Sequence, residues 1–283
     1  MASLPDRSAL EVAAAGVAAE RLVPSPALVA AWRELHHAAQ IASEVGKSWA
    51  VARADDSHST FAFRDGELVG APVAGPDGLR ATLRVRDLVL RLVAPDGTTR
   101  AELALGGATC ADGMRWIRAE TERLAGPPRQ RATPAPDLPP HPVAQGAPFA
   151  PAAELDALAR LLGGADAFLR TTGAPVRIWP HHFDMAVLLE RAPGRTIGVG
   201  LAVPDAMAPA GYWYVSPWAA EPRGPREWPA LAHGRWVARG DALAIAVLPL
   251  DAWSALPDAE QRRSALAGFL AAALDASARA LGA

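Results

Sequence analysis

Trp179-Pro180-His181-His182-Phe183-Asp184 is the densest polar and aromatic run in the chain. Two imidazoles followed by a carboxylate are ligand types for zinc, nickel or iron, and equally a base with an orienting carboxylate, with His182 and Asp184 as the catalytic candidates. Neighbours on an extended strand point to opposite faces, so His181 and His182 need help from elsewhere to share one ion. The plainer alternative packs one imidazole beneath Trp179 and leaves the other in water. Help could come from the first half of the chain. There, helical spacing turns His36 inward, between Trp32 and Gln40, and points His37 away. Asp55-Asp56-Ser57-His58 precedes a strand and is also an ordinary turn sequence. A pocket of His36, Gln40, Asp56, His58, Trp179, His181, His182 and Asp184 is therefore expected to form across the halves. Its metal candidates are His36, His58, His182 and Asp184.

A second constellation is Gly211-Tyr212-Trp213-Tyr214-Val215-Ser216-Pro217-Trp218. Tyr212, Tyr214 and Trp218 have apolar bodies and polar tips, which suits a ligand wall or a partner surface. Just before it, Ile197, Val199 and Leu201 share one strand face while Gly198 and Gly200 leave the other bare. A ligand, a helix, Trp213 or a tyrosine from the neighbouring strand must cover that bare face.

The elements that position these residues follow from periodicity. Ser25 can cap a helix to about Val45, with Leu28, Trp32, Leu35, Ala39 and Ala42 on one stripe. Alternation then marks strands around Phe61 and Phe63, Leu83 and Val85, and Leu88 to Leu92. Asp65-Gly66 and Asp96-Gly97 supply hairpin turns, and a helix over about 112–124 closes the half. Residues 126–150 stack prolines too densely for helix or central strand and read as a surface linker. Pro151 then opens a helix carrying Leu155, Leu158, Leu162 and Phe168 and ending near Gly173. Strands are expected over 176–179, 183–190, 196–203, 212–216 and 243–248. Asp258, with Gln261 three residues on, caps a last helix. The expected fold is α+β, with two quasi-repeated units of helix, antiparallel sheet and helix. The divisions are 24–125, 126–150 and 151–283.

Composition narrows function. The 283 residues carry 28 Lys and Arg against 30 Asp and Glu, a formal charge of -2, and the basic residues are arginines except for Lys47. Nothing in this balance draws the chain to nucleic acid or to an anionic membrane. Cys110 is the one cysteine, which fits a reducing compartment and excludes an intramolecular disulfide. The N-terminal apolar patch lacks a basic lead-in, and no uncharged apolar run approaches the roughly 20 residues of a membrane helix. A soluble, cytoplasmic protein is expected. Phosphate-cradling loops, dinucleotide fingerprints, serine elbows and HExxH are missing, so no nucleotide cofactor is expected, while a divalent metal stays open.

The Trp179 to Asp184 run, Ile197-Gly198-Val199-Gly200-Leu201 and Tyr212 to Trp218 resemble the signature of a bacterial family of unknown function. Its members read Trp-Pro-(His or Glu)-His-Phe-Asp, a Gly-x-Gly strand, and Tyr-x-Tyr-Val-x-Pro-Trp. Leu35-His36-His37-Ala38-Ala39-Gln40 and Asp55-Asp56-Ser57-His58 are similar to its first half. This sequence departs from it at Ala202-Val203-Pro204-Asp205, where relatives carry Ser-Pro-Gly-Asp, and at Ala210-Gly211, where they carry Glu-Pro. The resemblance brings no activity with it. The leading expectation is a small-molecule-binding protein, open to metal-assisted catalysis. The alternative is an interaction or homodimerisation module using Tyr212, Tyr214, Trp218 and Trp228.

Overall fold

The structure is a computed structural model of the chain. It describes residues 7–19, 22–73, 78–132, 138–221, 227–239 and 243–282. Among them the order is α1 (Arg7–Ala19), α2 (Pro26–Trp49), β1 (Phe61–Arg64), β2 (Glu67–Gly70), β3 (Arg80–Arg84), β4 (Val89–Val93), β5 (Thr99–Ala104) and α3 (Cys110–Ala125). A short 3-10 turn (Pro142–Gln145) and α4 (Glu154–Arg170) follow, then β6 (Arg177–Ile178), β7 (Met185–Ala192), β8 (Arg195–Ala202), β9 (Tyr212–Ala219), β10 (Arg235–Arg239), β11 (Leu243–Pro249), α5 (Leu250–Ser254) and α6 (Ala259–Leu281). The fold is mixed α and β, and its strand ladders are antiparallel.

Two compact units are interleaved along the chain. The middle unit takes the described residues of Pro26–Gly163 and Arg177–Phe183; the terminal unit takes those of Met1–Ser25, Gly164–Val176 and Asp184–Ala283. Residues 126–150 thus belong to the middle unit rather than joining two halves. In place of an unstructured linker they carry the 3-10 turn, whose N-terminal His141 side chain accepts from Val143 N, and a bridge between Gly106 and Phe149. They also serve α2 directly: Arg129 N donates to Ser48 O and Ala150 N to the Glu34 carboxylate. Residues 133–137 of this stretch lie outside the described residues.

In the middle unit the strands run β6-β1-β2-β3-β4-β5. Asp65 and Gly66 turn β1 into β2 with both residues at positive φ, the two-residue hairpin their identities predict. Thr109 and Asp112 close a reciprocal capping box at the start of α3. The helix α2 packs on β2, β3 and α3, burying Trp32, Leu35, Ile41 and Val45. Its Gly46 lies against the loop before β1, where a Cβ would stand 2.4 Å from His58 O.

In the terminal unit the order is β10-β11-β9-β8-β7. Asp258 caps α6 by accepting from Gln261 N at 2.8 Å, as the spacing predicts. The helix α6 covers β8, β9 and β11, and α1 packs along it. Trp213 is fully buried there, with Phe168 edge-on at 5.6 Å. Arg262 of α6 is buried and donates to Ala18 O and Leu256 O. Among the described helices α6 alone is long and apolar enough to cross a bilayer, but 67% of its most apolar window is buried, as in the core helix of a globular unit.

Several elements differ from expectation. α1, β10 and α5 are additional, and α4 starts at Glu154 rather than at Pro151. The strand expected from Phe183 begins at Met185, because Phe183 adopts φ 56° and cannot join a ladder. Each half carries helices and antiparallel strands. The strand orders differ, since β1 to β5 follow the chain whereas β11 inserts between β9 and β10.

Candidate functional site

The polar face of α2 is the unusual surface of the middle unit. Residues 36, 40 and 47 recur at about four and seven, which places His36, Gln40 and Lys47 along one side of the helix. Turn 179–183 lies over it, closed by Phe183 N donating to Trp179 O at 2.6 Å, with Phe183 in the left-handed region. A bulky residue there is strained by on the order of 1–3 kcal/mol and must be held by its surroundings. Its ring is buried and stacks on His36 at 4.9 Å and 10°.

The Pro180 carbonyl is the hinge of this contact. It accepts from His36 Nε2 at 2.9 Å and from Gln40 Nε2 at 2.5 Å. Because a carbonyl only accepts, the His36 proton sits on Nε2, and Nδ1 carries a lone pair. That Nδ1 is buried and has no hydrogen-bond partner among the described residues. An unsatisfied buried acceptor costs about 1–3 kcal/mol. Burial, with the nearby His37, His181 and His182 adding to it, pushes His36 down to about 4, so it is a neutral imidazole.

His37 does not point away from the protein: it is as buried as His36, because residues 138–150 cover that side of α2. Its Nε2 bonds Pro139 O at 2.8 Å, and its ring lies 6.1 Å from His141. Further along the helix, Lys47 Nζ donates to Gln40 Oε1 at 3.4 Å. Glu44, its nearest carboxylate in sequence, already accepts from Arg118 Nε and from Ser48 Oγ. Burial lowers the Lys47 ammonium below its usual range, although Glu44 pulls the other way.

His181 and His182 touch each other at 4.5 Å, and His181 lies edge-on to Trp179 at 6.2 Å. His182 is exposed and His181 half-buried. The structure therefore brings His36, His37, His181 and His182 into one neighbourhood, with Gln40 and Trp179 beside them. His58 stands in a different relation, since its Nδ1 accepts from Arg53 N within its own loop. Asp56 is exposed at φ 53° and ties the same loop through its carbonyl to Ser59. Among the described residues no three His, Cys, Asp or Glu side chains come together as a metal set. Cys110, half-buried near Glu34, is held as a thiol because burial raises it.

Asp184 belongs to the terminal unit, where it accepts from the Tyr214 hydroxyl at 2.5 Å. Tyr212 likewise donates to Asp205 at 2.8 Å. Tyr214 is the cover for the bare face of β8: Cβ atoms built at Gly198 and Gly200 would meet its ring at 3.6 and 3.0 Å. Beyond Tyr214 the same face opens. Cross-strand register places Leu188 beside Gly198, and Thr196 beside Trp218. Leu188 is 48% exposed and Trp218 53% exposed, with the bare Gly198 between their strands. Elsewhere in this unit a cleft of about 250 Å³ is lined by Glu227, Trp228, Pro229, Ala276, Arg279 and Ala280.

Sequence reasoning missed Lys47 and the Pro180 carbonyl. The steps of four from His36 to Gln40 and seven from Gln40 to Lys47 were legible, whereas a backbone acceptor leaves no trace in residue types. Compared with protein-family models, with curated proteins and with solved structures, the chain finds no match.

Proposed function

We propose that this chain is a small-molecule-binding protein whose site is the polar side of α2 beneath turn 179–183. The observation that carries this reading is His36: a fully buried, neutral imidazole, clamped by Pro180 O and Phe183, whose Nδ1 has no partner among the described residues. A purely structural position would be served as well by leucine, without that cost. Metal-assisted catalysis is not part of the proposal, because no three donor side chains come together among the described residues. Membership of the bacterial family with the Trp-Pro-His-His-Phe-Asp signature, an ancient duplication and a cytoplasmic location are consistent with this reading and belong with it as proposals. The test is a ligand-observed NMR screen of small polar fragments against wild type and Gln40→Leu, with circular dichroism as the fold control. Hits that weaken at least about tenfold in the folded variant, some 1.4 kcal/mol, are expected. Hits that ignore the substitution, or none at all, would discard the site.

The opening around Leu188, Gly198 and Trp218 favours a second reading, a protein-interaction or homodimerisation surface. If it holds, light scattering should show wild type as an oligomer or bound to a partner, and Trp218→Ser should abolish that state. A monomeric wild type whose partner binding survives the substitution would remove it.

A further inference from the structure

Lys47 is the one lysine among 28 basic side chains. Arginine stays charged in any protein environment, whereas a lysine denied water and a counter-ion sheds its proton and becomes an amine. Lys47 is moved in that direction: burial lowers its ammonium, although Glu44 pulls the other way. It is half-buried on α2, its Nζ makes a long hydrogen bond to an amide oxygen, and the carboxylate three residues before it is bound to Arg118 and Ser48. Gln40 is fixed in orientation, since its Nε2 donates to Pro180 O and His36 O, which leaves Oε1 turned to Lys47. A neutral amide oxygen stabilises an ammonium less than a carboxylate would, and it accepts equally from an amine. Residues 126–132 border the other side, where Gln130 donates to Lys47 O at 2.8 Å.

We propose that Lys47 is a covalent capture site for small carbonyl compounds, its amine adding to the carbonyl carbon of an aldehyde or ketone. The inference rests on the binding reading above and names its ligand class. In the first step the nitrogen lone pair forms the N–C bond, the carbonyl π pair moves to oxygen, and a proton passes from nitrogen to that oxygen, giving a carbinolamine. In the second the nitrogen lone pair forms C=N, the hydroxyl leaves as water with one added proton, and the product is an iminium ion. No oxidant or reductant is involved. Burial lowers the ammonium, against the pull of Glu44, and so raises the share of unprotonated nitrogen that the first step consumes.

The lone lysine makes the test clean. The full chain is incubated at pH 7 with benzaldehyde and sodium cyanoborohydride, which delivers hydride to the iminium carbon and fixes the adduct as a secondary amine. Peptide mapping separates Lys47 from the N-terminal amine, and Nα-acetyl-lysine amide serves as the unperturbed reference in the same tube. Lys47 should be alkylated faster than the reference, since lowering an ammonium raises its share of free amine at neutral pH. A rate equal to or below the reference overturns the proposal, and because wild type alone is labelled no variant need fold. Gln40→Leu separates the two readings. Slow labelling with fragment hits that still depend on Gln40 leaves the binding site and removes covalent capture. Fast labelling with no Gln40-dependent hits keeps the reactive amine and removes the binding site.

Discussion

The helices α2 and α6 are nearly the same length, 24 and 23 residues, and each lies against an antiparallel sheet in its own unit. They are buried in different ways. α6 buries alanine, leucine and phenylalanine, and has only two buried polar side chains: Arg262, which donates to two carbonyls, and Ser277, whose Oγ has no partner among the described residues. α2 buries six, Glu34, His36, His37, Ser43, Glu44 and Ser48, and the His36 Nδ1 has no partner among the described residues. A helix whose task is only to cover a sheet has no reason to bury so many polar groups, because each must be matched or it costs stability. The contrast marks α6 as scaffold and α2 as the element on which binding chemistry is built.

The largest test of this contrast is acid. Neutral His36 has a folded value of about 4 against an ordinary 6.5, so between those pH values the unfolded chain binds the proton and the folded chain does not. Stability from this group is therefore complete above pH 6.5 and falls as pH drops toward 4, by roughly 3 kcal/mol in all. Urea denaturation at pH 7 and pH 4.5 should show that loss in wild type and should show about 2 kcal/mol less of it in His36→Leu. Equal losses in the two proteins would mean that α2 carries no such burden. A smaller effect comes from glycine. Gly46→Ala in α2 drives a Cβ into His58 O and should cost about 2 kcal/mol, read from the urea midpoint. The smallest is of opposite sign: at Gly268 of α6 an added Cβ meets only the Arg7 guanidinium at 3.8 Å, so Gly268→Ala should stabilise by about 0.5–1 kcal/mol through helix propensity. If both alanines stabilise, α2 is not held as closely as its contacts imply.

Local chemistry was legible where it is self-contained. The hairpin at Asp65-Gly66, the cap at Asp258 and the apolar stripe of α2 each depend on residues within a few positions, and each stands where residue type and spacing put it. The ring that covers Gly198 and Gly200 was narrowed by alternation to a few aromatics. Cross-strand register selected Tyr214, since it opposes Gly200 directly. His58 and Asp56 entered the candidate pocket as ligand types in a segment that precedes a strand, but both are tied into their own loop by backbone bonds that residue types do not announce.

By itself the sequence determined the alternation of helix and antiparallel strand, the turn and cap positions, and the polar-aromatic runs around His36, Trp179 and Tyr212, because these arise from short-range sterics and periodicity. Only the tertiary structure decided that His37 is buried beneath the proline-rich segment, that Phe183 leaves the strand to stack on His36, and that Asp184 pairs with Tyr214. It also decided that Lys47 shares a hydrogen-bonded line with Gln40 and Pro180. These outcomes depend on which distant backbone supplies a carbonyl or excludes water, and that is settled by chain packing over more than a hundred residues, beyond the reach of any local pattern.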